Sequence, residues 1–165
     1  MGIVAKARKI RGLEYDMPFA EAAGLTIATR ADEVFAYADG VLDTADIERV
    51  HDMRVATRRL RAVLEIYAPC FPRRRYEAVL GEVKQLADAL GERRDPDVHI
   101  DAMTHFAEGF AAADRAGVAA FTQTLRRQQS DGNDAVAAAL AHADKIHLHA
   151  RLLAMARAAE ESVAA

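Results

Sequence analysis

Tryptophan is absent from this 165-residue chain, cysteine occurs once, and proline appears only four times. A single thiol, Cys70, cannot build a disulfide framework within one chain and suits a reducing compartment. No apolar run reaches the ~18 residues a membrane span needs, and no signal-peptide pattern opens the chain. A soluble, cytoplasmic protein without a membrane partner is therefore expected. Period-two runs of Val, Ile and Thr are also missing, which argues against a sheet. Glycine is sparse at nine residues and alanine dominates, so the chain reads as nearly all helix. There is neither a nucleophile motif nor a glycine-rich loop that would cradle a phosphate, so no catalysis and no cofactor are expected.

What the chain does have is unevenly distributed charge. The net charge is −3, which speaks against a generally basic nucleic-acid binder. Yet residues 49–94 hold 11 of the 22 Lys and Arg residues against six acids, a local excess of five positive charges. Much of that excess lies in VHDMRVATRRLRAVLEIY, Val50 to Tyr67. As a helix at about 100° per residue, this stretch gathers Met53, Ala56, Leu60, Val63, Leu64 and Tyr67 into one apolar arc. With His51 placed at 0°, Arg58 falls at about −20°, Arg54 at about −60° and Arg61 at about −80°. One imidazole and three guanidiniums thus share an exposed arc whose only acid, Glu65, sits at its far end. A solvated helix face ordinarily mixes signs, because like charges at i, i+3 and i+4 repel. The pattern fits either an ordinary charged surface, with Arg chosen for helix propensity, or a polyanion site.

The remaining elements follow from punctuation and period. Residues 1–17 form a basic leader with Lys6, Arg8, Lys9 and Arg11, expected to be mobile, and residues 18–165 form one helical domain. A first helix is predicted from Pro18 to Asp39, with Ala22, Leu25, Ala28, Thr29, Val34, Phe35 and Ala38 on its apolar face and Gly40 ending it. Asp43 or Thr44 is the expected cap of the Val50–Tyr67 helix, and Ala68-Pro69-Cys70-Phe71-Pro72 stops it. A third helix should run from Pro72 to Leu90 on Val79, Val83, Leu86 and Leu90. GERRDP, residues 91–96, reads as an interruption, with Gly91 as a C-cap and Asp95-Pro96 as a restart. Asp97 to Gly109 should be helical on Val98, Ile100, Met103 and Phe106, and Asp114 to Gln129 helical again. Ser130–Asn133 reads as a turn before a long helix from Asp134 to Glu161. The fold class is all-α: a four-helix bundle with broken long helices.

HDMRVATRRLRAVLEIYAP at 51–69, followed by Lys84 and LGERRDPDV at 90–98, resembles the N-terminal half of a CHAD domain. That family is the α-helical, histidine-containing module associated with inorganic polyphosphate. RGLEYDMP at 11–18 is similar to the segment that precedes the family's first helix. The resemblance implies a helical bundle whose basic residues line a groove for a polyphosphate chain. Carried over by position, the binding set is His51, Arg54, Arg58, Arg59, Arg61, Lys84 and Arg94, with Arg59 lying toward the flank of the arc. A typical member carries two bundles in tandem, whereas residues 99–165 show no second arginine-rich string. One half of the tandem is expected, with a homodimer completing the groove. The acidic Glu-x-Glu-x-Lys string of the triphosphate-tunnel enzymes often fused to this family is absent.

The chemistry of the arc agrees with such a ligand. Polyphosphate presents spaced negative charge and no bases, which suits planar guanidiniums and an imidazole that an anion can hold protonated. Nucleic acid would call for stacking aromatics, and the arc has none, so it is expected to bind weakly if at all. The alternative function is a structural module whose basic arc docks an acidic protein partner. Metal readings are weaker. His51-Asp52 would serve a metal-dependent phosphohydrolase only with further ligands from other helices, and Asp97, Asp101 and His105 form an i, i+4, i+8 stripe of the kind an ordinary solvated face also shows. No metal is expected.

Overall fold

The computed structural model describes residues 6–109, 111 and 115–164. It contains α1 (Phe19–Ala36), α2 (Ile47–Ile66), α3 (Arg73–Ala107), α4 (Arg115–Lys145) and α5 (Leu148–Ala164), with a 3₁₀ turn at Ala68–Cys70 and no strand among the described residues. The expected all-helical bundle is present. Helix α1 packs between α2 and α5, while α3 packs between α2 and α4. The α2 stripe seats as its periodicity requires: Met53, Ala56, Leu60 and Leu64 are buried, joined by Val50 and Thr57, while Val63 and Tyr67 are half-buried. Val79, Val83, Leu86 and Leu90 of α3 face them in one core with Val136, Leu152 and Met155.

Three expectations are corrected. First, α1 buries Ala23, Ile27 and Ala31 together with Arg30 and Glu33, and of the residues expected to form its inner face only Val34 is buried, while Ala22, Leu25, Ala28, Thr29, Phe35 and Ala38 are half-buried. Flanked by helices on two sides, α1 has a buried arc wider than a single apolar stripe. Second, α2 begins at Ile47 after Asp46, and Asp43 instead accepts a hydrogen bond from the Ala45 N–H at 2.9 Å. Third, neither GERRDP nor Ser130–Asn133 interrupts a helix: α3 runs through Gly91 and Pro96, and α4 through Gly132.

A proline inside a helix ordinarily costs ~3 kcal/mol, because it lacks the N–H that would meet the carbonyl four residues back. Here that carbonyl belongs to Glu92, and α4 comes against it at Gly132. A Cβ at Gly132 would lie 2.9 Å from the Arg93 Cα and 3.3 Å from the Glu92 carbonyl oxygen. Only glycine permits this approach, and residues that read as a turn serve instead as a packing seam. With α3 unbroken, the core phase continues through 79, 83, 86, 90, 93 and 97. Arg93 and Asp97 therefore occupy core positions at 0 % and 1 % exposure, while Val98 and Phe106 turn outward at 48 % and 56 %. The chain bends later, at His147, whose φ is +54°. Helix α5 then returns to α1, where Gly24 lets the Ala156 carbonyl come within 2.7 Å of a would-be Cβ. Asp114, expected to open α4, lies outside the described residues, as do residues 1–5 of the leader.

The sign of two alanine substitutions separates a continuous α3 from a broken one. Gly91 has open space around it and lies inside the helix, so Gly91→Ala should stabilise the fold by about 0.5–1 kcal/mol in urea unfolding. A C-cap glycine at that position would give the opposite sign. Gly132→Ala must push α3 and α4 apart and should cost about 1–3 kcal/mol.

Candidate functional site

Helix α2 presents its cations across the whole of its outer face, and its neighbours divide them. Arg59 leans toward α1, where its Nη1 reaches Glu33 Oε1 at 3.1 Å. Arg54 and Arg61 lie about 140–160° away on the wheel and so face the opposite flank, toward α3. His51 and Arg58 lie between these flanks, Arg58 exposed and His51 half-buried. On α3, Glu82, Glu92 and Arg93 mark the flank that meets α4, through His142, Gly132 and Asn133. Arg94, about 100° round from Arg93, therefore turns to the α2 flank, and the exposed Lys84 lies farther round on the same side. By azimuth, Arg54 and Arg61 on α2 and Arg94 and Lys84 on α3 are directed to the α2–α3 side, with His51 and Arg58 beside them on α2.

Two of these cations carry unmet donors. Arg54 Nε and Arg94 Nη1 are enclosed yet have no hydrogen-bond partner among the described residues. A buried donor left unpaired costs about 1–3 kcal/mol, so such groups are ordinarily matched. Arg61 holds Glu65 loosely, at 3.6 Å. Arg59 differs from the rest, because Glu33 is 1 % exposed and also binds Arg30. Its guanidinium is tied into a buried Arg30–Glu33–Arg59 cluster, which makes it a structural member of the face. The Arg30–Glu33 half of that cluster is legible as an i, i+3 pair in α1, but its reach to Arg59 is set by helix packing. Among the described residues, four cavities of 350–540 Å³ lie away from the arc and are lined by none of its residues.

The metal readings find no support among the described residues, where no group of three His, Cys, Asp or Glu is placed to hold an ion. Asp97 is bound to Arg93 and accepts from Gln129 Nε2 at 2.6 Å. His105 sits against its own helix, with Nδ1 2.9 Å from the Asp101 carbonyl oxygen. That bond, and then the nearby Asp101 carboxylate, raise the affinity of the imidazole for its proton. Two other histidines serve contacts between helices: His142 meets Glu82 at 2.8 Å, and His149 meets Asp32 at 2.7 Å while stacking on Phe35.

The family model of the CHAD domain matches residues 26–165. No curated protein matches the chain, and no solved structure does.

Asp52 is the misplaced charge beside the arc. Its Oδ1 is enclosed without a partner, and burial pushes its pKa above the ordinary carboxylate value of 3.8, with His51 pulling it back less strongly. The native state therefore holds this proton more tightly than the unfolded chain does, and stability falls as pH rises through the window above 3.8. Asp52→Asn should raise stability at pH 7, by a small amount because solvent screens this partly exposed group. The gain should disappear on acidification toward pH 3.8, as thermal melts across that range would register.

Proposed function

Because the chain belongs to the CHAD domain family, which is associated with polyphosphate binding, we propose that it binds inorganic polyphosphate along the α2–α3 seam without acting on it chemically. His51, Arg54, Arg58, Arg61, Lys84 and Arg94 contact the phosphates, and Arg59 stiffens the face through Glu33. The observation that carries this reading is the seam itself. Two helices contribute five Lys and Arg side chains to one surface, and donors on Arg54 and Arg94 are held there without partners. An oxyanion is the group that satisfies both the charge and the donors. The ten residue steps from His51 to Arg61 span roughly 15 Å of helix, a surface for an extended chain rather than a single phosphate. The absence of stacking aromatics on the arc favours polyphosphate over nucleic acid.

Binding should weaken steeply with salt, with a log–log slope of about −3 to −4 if the six contacts engage, at roughly −0.7 per contact. Arg54→Gln together with Arg58→Gln keeps the alkyl stems that cover the core and should leave stability within about 1 kcal/mol. Calorimetric titration with polyphosphates of graded length should show the pair binding at least about tenfold more weakly than the parent. Arg126→Gln with Arg127→Gln removes equal charge from α4. If that control loses as much, the attraction is general electrostatics and the site reading fails. Affinity indifferent to polyphosphate length would instead favour the docking of an acidic protein partner.

The working form in this proposal is a homodimer that sets two basic faces side by side around one anion. The exposed Val98 of α3 and Phe121 of α4 offer apolar surface for such a contact. Sedimentation velocity should find twice the chain mass in the presence of polyphosphate. A monomer both with and without it removes the dimer and leaves the single face as the site.

A further inference from the structure

Residues 8–12 of the leader lie against α1 and carry three cations to a cavity of 540 Å³ lined by Arg8, Lys9, Arg11, Thr29 and Asp32. Two contacts hold it there. The Arg8 backbone N–H donates to Glu33 Oε1 at 3.4 Å, and Gly12, at φ +79°, turns the chain where Leu25 comes close. From Glu33 back to Leu25 is about 12 Å of helix rise, and from Arg8 to Gly12 about 13 Å of extended chain, so the segment runs antiparallel to α1 at matching length.

The chemistry of this cavity is anionic-ligand chemistry. Three cations face one carboxylate, and that carboxylate, Asp32, is already engaged by His149 Nε2 at 2.7 Å. The Thr29 hydroxyl donates to the Leu25 carbonyl at 2.8 Å. The polar groups left to recognise a ligand are guanidiniums and an ammonium. The segment that carries these cations is also tied to the α2 face through one carboxylate. Glu33 Oε1 accepts from both Arg59 Nη1 and the Arg8 N–H, so the leader begins where the flank of the arc ends. The acid that joins them is 1 % exposed, which keeps its charge off the surface between the two cation groups.

We infer that Arg8, Lys9 and Arg11 form a second polyphosphate subsite, which takes further phosphates of a chain already held on the α2–α3 seam and so makes the protein favour long chains. This inference rests on the reading of the preceding subsection, and its test separates the two. The full-length chain and its Arg8→Gln/Lys9→Gln/Arg11→Gln variant are titrated with a polyphosphate of a few phosphates and with one of several tens. The variant should bind the short chain within about twofold of the parent and the long chain at least about tenfold more weakly. Its log–log salt slope for the long chain should shrink by about 2, three contacts at roughly −0.7 each. Equal long-chain affinity in variant and parent overturns the subsite. An equal loss for short and long chains overturns it as well, since a site that extends the footprint cannot act on a ligand too short to reach it. A parent protein that binds neither length rules out the α2–α3 reading itself.

Discussion

The buried Arg93–Asp97 pair sets the register on which the rest of the molecule depends. Both side chains sit at core positions of α3, and the pair spans the turn that Pro96 weakens. Asn133 Oδ1 accepts from Arg93 Nε at 3.1 Å, Gln129 donates to Asp97, and Asn133 Nδ2 reaches on to the Leu42 carbonyl at 2.9 Å. One polar cluster thereby ties α3 to α4 and both to the connection that leads into α2. A buried ion pair adds little net stability over apolar residues of the same shape, but losing one partner strands the other charge at a cost of about 3–5 kcal/mol. Its role is therefore to exclude other registers. A one-residue slip would bury Arg94 with Val98, not an acid, at the position of Asp97, and would turn the Arg93–Asp97 pair outward.

That register has a direct consequence for the basic surface. Arg93 and Arg94 are adjacent in sequence and chemically identical, yet one is a core element and the other belongs to the seam. The same division recurs on α2, where Arg58 and Arg59 point about 100° apart. Arg59 is consumed by Glu33, and Arg58 remains exposed. In both Arg–Arg pairs one guanidinium fastens helices and the other turns to the basic face. Mounted on packed helices whose own arginines hold them in place, the cations of that face are preorganised, which would lower the ordering cost of the proposed binding.

Charge placement follows the same economy of position. The chain is acidic overall, and a polyanion would be repelled if those acids shared the face. Glu33 is hidden beneath it, Glu82 and Asp32 are turned to histidines on α4 and α5, and Glu77 lies against Arg73. Asp52 is the exception beside the arc, and it remains without a partner for its enclosed oxygen.

The sequence by itself determined the helical class, the apolar stripe of α2 and the basic arc opposite it, because a 3.6-residue period maps side chains onto faces without reference to any other element. The stripe Val79, Val83, Leu86 and Leu90 was legible for the same reason. Only the tertiary structure decided that α3 passes through Gly91 and Pro96 and α4 through Ser130–Asn133. Helix breakers record a local cost, and the approach of α4 at Gly132, which offsets that cost, exists only once both helices are in place. The roles of Arg93 against Arg94 and of Arg59 against Arg58 were likewise settled by packing. Their difference lies not in residue type but in which neighbour each azimuth meets, and Glu33, 26 residues from Arg59 in sequence, is a partner that no local pattern could have named.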